Sequence, residues 1–395
     1  MSTLYYVGLD VHKDSVSIAY SSERSRKTPT YYGQCGGSNL AVERALRSLA
    51  KKLHRSPQDL KVSYEAGPTG FVLARRLLQL GIDCVVMSPS KTERKAHEKV
   101  KTDKKDAQKV AKDFRNGDFT EVRVPPALDE AVRDLCRART DAVDDLARSK
   151  QRLNSFLLRI GFNYSGKTKW TSAHMRYLRH LTVPHDVHKI VLEDYIQAID
   201  SCMERVALLR DKMKDVLESW EWKPVVKALM ACRGFQEVAA MTLISELGDL
   251  RRFKHPRQLM AFLGLVPDEE STGTRRRLGS ITKCGNSHAR WMLVECAQHF
   301  RRAPKVNAPL SKRQEGQSRK IKAFSWRMQT RLHNRYASLR ARGKLEQKII
   351  VAIARELSAF LWELQNRLGL SIPDYQIIQA TVENSKETNK PGSTS

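Results

Sequence analysis

The chain has 395 residues, and its 70 Lys and Arg against 43 Asp and Glu leave a formal net charge of +27. At about 100 to 200 residues per domain, this length predicts two or three domains, each large enough to bury a core. No apolar run approaches the roughly 18 residues of a membrane span, and Asp10 interrupts the N-terminal stretch where a signal peptide would continue. The sequence therefore predicts a cytoplasmic protein. Its seven scattered cysteines, never spaced as CxxC, argue against a disulfide framework or a structural zinc site.

The positive charge is concentrated in one quarter of the chain. Residues 251–350 contain 24 Lys and Arg but 6 Asp and Glu, a net of +18. A positive balance of this size indicates a polyanionic partner, either nucleic acid or a membrane surface. Because aromatic residues such as Phe300, Trp326 and Tyr336 are interleaved with the basic ones, the pattern favours a folded nucleic-acid-binding surface over a polybasic membrane anchor.

The first 125 residues alternate between strand-like and helix-like patterns. Three consecutive strands are predicted at 4–11, 15–22 and 28–35. Helix, strand, helix, strand and helix are then predicted at 39–54, 60–66, 69–81, 82–88 and from Asp103 onward. This order predicts an α/β fold with a central mixed sheet, and it is the order used by ribonuclease-H-like nucleases.

Long helices dominate the remainder of the chain. Two are predicted at 128–161 and 188–220, and they could pair as a coiled coil within one chain or between chains. The connector between them contains four histidines, which are typical of basic surface because no cysteine accompanies them to form a zinc site. We divide the chain into an N-terminal domain at 1–125, a long-helix linker at 126–222, a C-terminal domain at 223–380 and a disordered tail at 381–395.

A glycine turn at Gly234 separates two predicted helices at the start of the C-terminal domain. This pattern is typical of a helix-hairpin-helix, which offers backbone N–H groups to a phosphodiester, and equally of a plain helical hairpin. A further helix at 344–369 is amphipathic, so we expect it to lie in the core.

Four carboxylates of the N-terminal domain stand where strands end or a helix begins. Asp10 ends the first strand, and Glu65 ends the fourth. Asp103 and Asp106 are three residues apart at a helix start and so face the same way. Singly these acids fit turns or helix caps, but a ribonuclease-H-like sheet would bring all four to one edge, where they suit two Mg²⁺ ions that clamp a phosphodiester. The lysines that would hold the nucleic-acid backbone beside them are Lys101, Lys104 and Lys105.

A serine followed by arginines stands in the most basic quarter of the chain. Ser271 lies in a turn-prone stretch between Pro267 and Gly273. A serine hydroxyl is a poor nucleophile unless its proton is removed and the charge developing on the phosphate is stabilised. No His/Asp pair stands nearby to take the proton, so on spacing alone a turn serine is the simpler interpretation. The basic residues that could contact nucleic acid here are Arg275, Arg276, Arg277, Lys283 and Arg290.

Five motifs, in order along nearly the whole chain, resemble those of the DEDD transposases of bacterial insertion sequences. That family is related to the Piv DNA invertase and includes the bridge-RNA-guided recombinases. The motifs are GLDVHK at 8–13, YEAGPTGF at 64–71, VKTDKKDAQKVA at 100–111, WTSAHMRYL at 170–178 and GLVPDEESTGTRRRLGSITKCGNSHAR at 264–290.

The resemblance implies a RuvC-like N-terminal domain, a coiled-coil linker and a mainly helical transposase domain with a nucleophilic serine. It implies that Ser271 becomes covalently joined to DNA. Thr272 follows Ser271 where the family often has a second serine, so Thr272 is the alternative attacking hydroxyl. The family's acidic, metal-binding tetrad corresponds to Asp10, Glu65, Asp103 and Asp106.

The resemblance also implies partners. These are target and donor DNA, a noncoding bridge RNA that pairs with both, and further copies of the chain, which form dimers and a tetramer of two dimers. The RuvC-like domain of one subunit would face the serine domain of another. No membrane partner is implied, and we expect the protein to associate with the bacterial nucleoid.

Three other functions stay open on the residues alone. One is a RuvC-like structure-selective endonuclease in which the acids cut DNA without a serine intermediate. Another is a protein-guided DNA invertase, which would lack a specific RNA partner. The third is a non-enzymatic nucleic-acid-binding regulator with a degenerate nuclease fold, which the presence of all four acids disfavours.

Overall fold

A computed structural model describes residues 4–89, 102–272 and 275–370, with the backbone alone described for 270–272, 275, 276 and 278. The chain divides into two units between Pro125 and Pro126. The first contains a mixed β-sheet with helices, and the second is mostly helical with one β-hairpin. The α/β and helical classes expected for the two parts of the chain are therefore confirmed. Lys101 and the tail predicted at 381–395 lie outside the described residues.

All eight elements predicted in the first unit are present. They are β1 (Tyr5–Val11), β2 (Ser15–Ser22), β3 (Thr30–Gly36), α1 (Asn39–Lys52), β4 (Leu60–Glu65), α2 (Val72–Gln79), β5 (Asp83–Met87) and α3 (Asp103–Asn116). The sheet order is β3-β2-β1-β4-β5. The first three strands pair antiparallel, whereas β1, β4 and β5 run parallel. The two central strands, β1 and β4, therefore end at the same edge of the sheet.

The sheet of the first unit is covered on both faces. On one face, Val7 shares a fully buried cluster with Leu46 of α1 and Leu77 of α2. On the other face, α3 packs through Ala107 and Ala111, which are also fully buried. Each large aliphatic side chain buried on the first face contributes about 1.5 to 3 kcal/mol, whereas the small alanine side chains on the other face let α3 lie close to β1.

The second unit contains ten helices and two strands longer than four residues within its described part. They are α4 (Ala127–Arg159), α5 (Ser172–Arg179), α6 (Asp186–Ser219), α7 (Lys223–Met230), α8 (Glu237–Leu247), α9 (Pro256–Phe262), β6 (Pro267–Thr272), β7 (Arg275–Ile281), α10 (Ser287–Ala297), α11 (Ala308–Arg313), α12 (Arg319–Ala341) and α13 (Glu346–Arg367). The predicted helix at 344–369 corresponds to α13, which buries an apolar stripe as expected.

The two long helices, α4 and α6, pack along each other within one chain. Leu153 and Phe156 of α4 share a buried cluster with Ile199 of α6. An ion pair between Arg205 Nη1 and Asp145 Oδ2, 2.9 Å apart, links the same helices. Of the two pairings that the sequence left open, the one within the chain is therefore present.

One histidine of the connector between the long helices is part of the core. His174 is 1% exposed, and its Nδ1 accepts a hydrogen bond from the backbone N–H of Trp170 (3.0 Å). Its ring also packs against Tyr164 and Tyr177, and burial lowers the pKa of His174. The interpretation as basic surface is wrong for this residue, because a cluster of aromatic rings encloses it.

Candidate active site

Two acidic side chains lie at the edge where the central parallel strands end. Leu9 of β1 pairs with Tyr64 of β4, and the next residues along the two strands are Asp10 and Glu65. Ligands of α/β proteins commonly bind at this carboxyl edge. Both acids are partly buried, so the strands alone place two carboxylates side by side.

A glycine lets α3 approach β1 closely. A Cβ atom at Gly8 would lie 2.2 Å from the backbone nitrogen of Ala111 and 2.6 Å from the carbonyl oxygen of Ala107. Only glycine fits such a contact, because backbone atoms of a packed helix cannot move aside as a side chain can. The middle of α3 is therefore seated against the strand that carries Asp10.

The first turn of α3 carries the other two predicted acids. Thr102 caps the helix, its Oγ1 accepting a backbone N–H bond from the first turn. His12 connects the turn to β1: its Nε2 lies 3.1 Å from Asp10 Oδ2 and 3.8 Å from Asp103 Oδ1. Asp106 lies one helical turn after Asp103, on the same face of α3.

Two of the four carboxylates have raised pKa values. Burial raises the pKa of Asp10, and the negative charges of Asp106 and Asp103 raise it further. Burial likewise raises the pKa of Glu65, and Asp106 and Asp10 add to the shift. The structure thus brings together all four acids that were singled out from the sequence.

Three groups at this edge could bind one cation. Asp10, His12 and Asp103 each offer a ligand atom, and these atoms lie within 4.8 Å of one another. Carboxylate oxygens suit Mg²⁺ or Mn²⁺, and an imidazole nitrogen suits transition metals, so the donor set fits a divalent cation. Sequence reasoning missed His12, although its position two residues after Asp10 was a usable signal.

Lysines surround the acidic edge. Lys104 and Lys105 are exposed on the first turn of α3, and the Lys104 Nζ lies 5.6 Å from the ring centroid of Tyr31. Lys109, a second residue that the sequence did not single out, opposes the increase in the pKa of Glu65 through its positive charge. Exposed lysines beside the acids are accessible to a phosphate backbone.

The hairpin of β6 and β7 carries the predicted nucleophile. Ser271 pairs with Arg276 in antiparallel register. The expected turn at Ser271 is therefore wrong: the arginine-rich segment pairs with it as a strand, which extends the hairpin beyond this position. Arg277 and Lys283 are exposed, while the side chains of 270–276 lie outside the described part.

Two residues that follow the hairpin fix its base. Arg290 Nη1 donates to the carbonyl oxygens of Leu263 (3.0 Å) and Cys284 (2.9 Å). Asn286 caps α10 and donates from Nδ2 to Glu246 Oε2 (2.7 Å). One guanidinium nitrogen of Arg290 is thus used by the fold, and its nucleic-acid contact stays a prediction.

Comparison with known proteins identifies the family. Residues 7–162 match the DEDD transposase family of IS110 elements, and residues 226–312 match the transposase IS116/IS110/IS902 family. The chain is also 39% identical over 360 residues to the y4qE protein of Sinorhizobium fredii (strain NBRC 101917 / NGR234), whose name describes it as a transposase; the alignment covers 91% of this chain and 88% of that protein. The chain belongs to the IS110 family of DEDD transposases.

Two further relatives of the transposase carry insertion-sequence names. The transposase for insertion sequence element IS1533 of Leptospira borgpetersenii is 28% identical, over 87% of this chain and 99% of the relative. The transposase for insertion sequence element IS1111A of Coxiella burnetii is 25% identical, over 57% of this chain and 61% of the relative. The four acids lie inside the first family match, and Ser271 lies inside the second.

Family membership makes the chain an enzyme that acts on DNA, a transposase of insertion sequences. The family and enzyme class expected from the sequence are confirmed, and a non-enzymatic regulator is set aside. Among the helices of the described residues, none has both the length and the hydropathy needed to cross a bilayer.

Proposed function

We propose that this transposase cleaves and rejoins DNA through a covalent bond between Ser271 and a DNA phosphate. The convergence of four carboxylates at one sheet edge carries the proposal; they are Asp10, Glu65, Asp103 and Asp106. Mg²⁺ bound by these oxygens, as two ions per site, would polarise the phosphodiester and stabilise its developing charge. His12 would orient Asp10 and Asp103 around the site.

The proposed chemical step is a transesterification. The Ser271 hydroxyl oxygen forms a bond to phosphorus, the bond to the leaving strand breaks, and that strand departs as a hydroxyl end after taking up a proton. A carboxylate from the acidic sheet edge of another subunit would accept the serine proton. Arg277 would stabilise the charge on the phosphate, and attack by another strand's hydroxyl end reverses the step.

Replacement of the hydroxyl tests this chemistry. We expect Ser271→Ala to abolish the protein–DNA adduct on a denaturing gel and to abolish strand exchange, because no oxygen remains to form the phosphoester. Thr272→Ala is the matched control and should retain both. Loss of the adduct in Thr272→Ala, with retention in Ser271→Ala, would assign the attack to Thr272 instead.

A RuvC-like structure-selective endonuclease is the second candidate. The observation that favours it is the presence of the complete acidic set within one unit, which would not need Ser271 to direct water at a phosphodiester. This candidate predicts that Ser271→Ala cuts branched DNA at the normal rate and that Asp10→Asn does not cut it.

We also propose that a noncoding bridge RNA guides the transposase to target and donor DNA. The net charge of +18 within residues 251–350 supports this, because folded RNA and DNA together need more phosphate-neutralising surface than one duplex. Sequencing of RNA that co-purifies with the protein from its native host tests the proposal. One enriched noncoding RNA is expected, whereas an absence of enrichment would favour a protein-guided invertase.

We further propose that the long-helix pair is a coiled-coil linker that joins subunits into dimers and tetramers. Ile190 and Leu208 of α6 are 66% and 59% exposed, and their separation of 18 residues is five full turns, which puts them on one face. We expect Ile190→Glu combined with Leu208→Glu to lower the molar mass by light scattering. The matched control on the same helix is Lys189→Glu combined with Lys212→Glu, which should leave the mass unchanged.

A further inference from the structure

A strongly basic cavity opens in the second unit, between the start of α8, the segment after α10, and helices α11 and α12. Its volume is about 960 Å³, and none of its lining residues is acidic. Amide and aromatic side chains complete the walls, among them Gln236, Asn307 and Tyr336. Six cationic side chains line it: Arg233, Arg301, Arg302, Lys305, Arg313 and Arg340.

Neutral backbone groups hold two of these arginines in place. Arg233 Nη1 donates to the carbonyl oxygen of Ala303 (2.6 Å), and Arg313 Nε donates to that of Met230 (2.8 Å). These bonds orient the guanidinium groups without neutralising them. Among the described residues, one of the six cavity cations forms an ion pair. It is Arg301, and its partner is Glu346.

The uncompensated charge is visible in the ionisation of neighbouring groups. Burial lowers the pKa of Arg233, and the positive charge of Arg302 lowers it further. Burial also lowers the pKa of His299, and three surrounding arginines add to that shift. The folded protein therefore holds like charges together at a cost, which a bound polyanion would reverse.

The size of the cavity limits which polyanion can enter. A volume of about 960 Å³ accommodates a few nucleotides of one strand. It is too small to enclose a DNA duplex, whose major groove alone is about 12 Å wide. The planar guanidinium fork matches phosphate oxygens in pairs, and the amide side chains of Gln236 and Asn307 offer hydrogen-bond partners for sugars and bases.

We infer that this cavity binds the sugar-phosphate backbone of an unpaired nucleic-acid strand. Such a strand could be one strand of a DNA duplex that opens during strand exchange, or a loop of RNA. Its lining residues lie in elements other than those that carry the four acids and the Ser271 hairpin. Strand capture is thus a separate binding step, which requires neither Ser271 nor the carboxylates.

The test uses the full chain with Arg302→Gln and Lys305→Gln combined. Both side chains are exposed, so the fold should survive their replacement, as a thermal melt can verify. Lys320→Gln combined with Lys322→Gln removes the same charge from exposed positions on α12 outside the cavity. Fluorescence anisotropy is measured for each protein with a 12-nucleotide DNA strand, the same RNA strand and the 12-base-pair duplex, over a range of salt concentrations.

We expect the cavity variant to bind a single strand about tenfold more weakly at 0.1 M salt, with a salt slope smaller by about 1.4 because two phosphate contacts are lost. Duplex binding should change less than twofold, and the control variant should match the wild type on all three probes. Loss on the DNA strand, the RNA strand or both supports the inference and tells which strand the cavity takes. Equal weakening of duplex and single strands, or no difference from the control variant, would overturn it.

Discussion

The acidic sheet edge of the first unit and the basic cavity of the second both hold like charges close together. The repulsion between those charges can be relieved in a different way in each region. The carboxylates can take up a proton or bind a cation, and the raised pKa of Asp10 shows the first response. Arginine cannot lose its proton in a protein, so the crowding in the cavity can be relieved by an anion alone. Each region is therefore complete only with a ligand of opposite charge.

The largest expected effect comes from separating the acids of the first unit. We expect Gly8→Ala to cost about 3 kcal/mol of unfolding free energy, because the new methyl group meets backbone atoms of α3 at 2.2 Å. Strand cleavage should be lost with it, since α3 moves away from Asp10. Urea denaturation and a cleavage assay measure the two effects.

Gly36→Ala is the matched control, because a Cβ there would meet the Ala41 Cβ at an ordinary 3.6 Å. Its stability should stay within about 0.5 kcal/mol of the wild type. Equal stability of the two alanine variants would show that packing against Gly8 does not position the acids.

A smaller effect on stability is expected at a carboxylate of the second unit that forms an ion pair with an arginine. The side chain of Glu246 is fully buried and accepts bonds from Arg137 (2.7 and 3.0 Å) and Asn286 (2.7 Å). We expect Glu246→Gln to cost about 2 kcal/mol, less than a fully buried pair would, because Arg137 is half exposed and can be hydrated. Chemical denaturation measures this loss of unfolding free energy.

Glu218→Gln removes an exposed partner of Lys223 and provides the comparison. We expect no measurable loss of stability, because water screens an exposed ion pair. If the two variants were equally stable, the base of the Ser271 hairpin would not depend on the buried ion pair.

The smallest effect is a pH-dependent gain in stability from Asp10→Asn. The pKa of Asp10 is raised in the folded protein, so its contribution to stability is fully present below the ordinary carboxyl pKa of about 4 and is lost as the pH rises through the raised value. The variant should therefore melt about 2 °C higher than the wild type at pH 7 without divalent cations, and the difference should vanish near pH 3.

Divalent cations should make the wild type melt at a higher temperature than Asp10→Asn. Millimolar Mg²⁺ or Mn²⁺ should raise the melting temperature of the wild type and leave Asp10→Asn unchanged, because a ligand that binds the folded state stabilises it. Asp14→Asn, at an exposed position on the same turn, should behave as the wild type in both experiments. A cation effect of equal size in Asp10→Asn would place the cation elsewhere.

The first unit could be predicted from the sequence almost completely. Strand and helix periodicity located its elements, and the parallel pairing of β1 with β4 follows from their order, which is why the meeting of Asp10 and Glu65 was foreseeable. His12 could have been found from its spacing of two residues from Asp10, whereas Lys109 was missed because its role depends on which way its side chain points across a gap between elements. No local pattern records that direction.

The second unit was harder to predict for a physical reason. The basic cavity gathers residues from positions 233 to 340, which lie on separate helices and on the loops between them. In the sequence, these basic residues were visible as an excess of positive charge. Which of them line one cavity depends on how the helices pack. The position of Ser271 in a strand likewise depends on a partner segment, which the turn-prone residues around it did not reveal.

The division at Pro125 and Pro126 has an evolutionary consequence. Among the described residues, the clusters that pack around the sheet lie before Pro125, so a gene crossover at this point would leave these clusters intact. Two insertion sequences could exchange the part of their genes that encodes residues 1–125 and still encode folded sheets. The carboxylate-bearing half and the serine-bearing half are therefore free to have had separate ancestries.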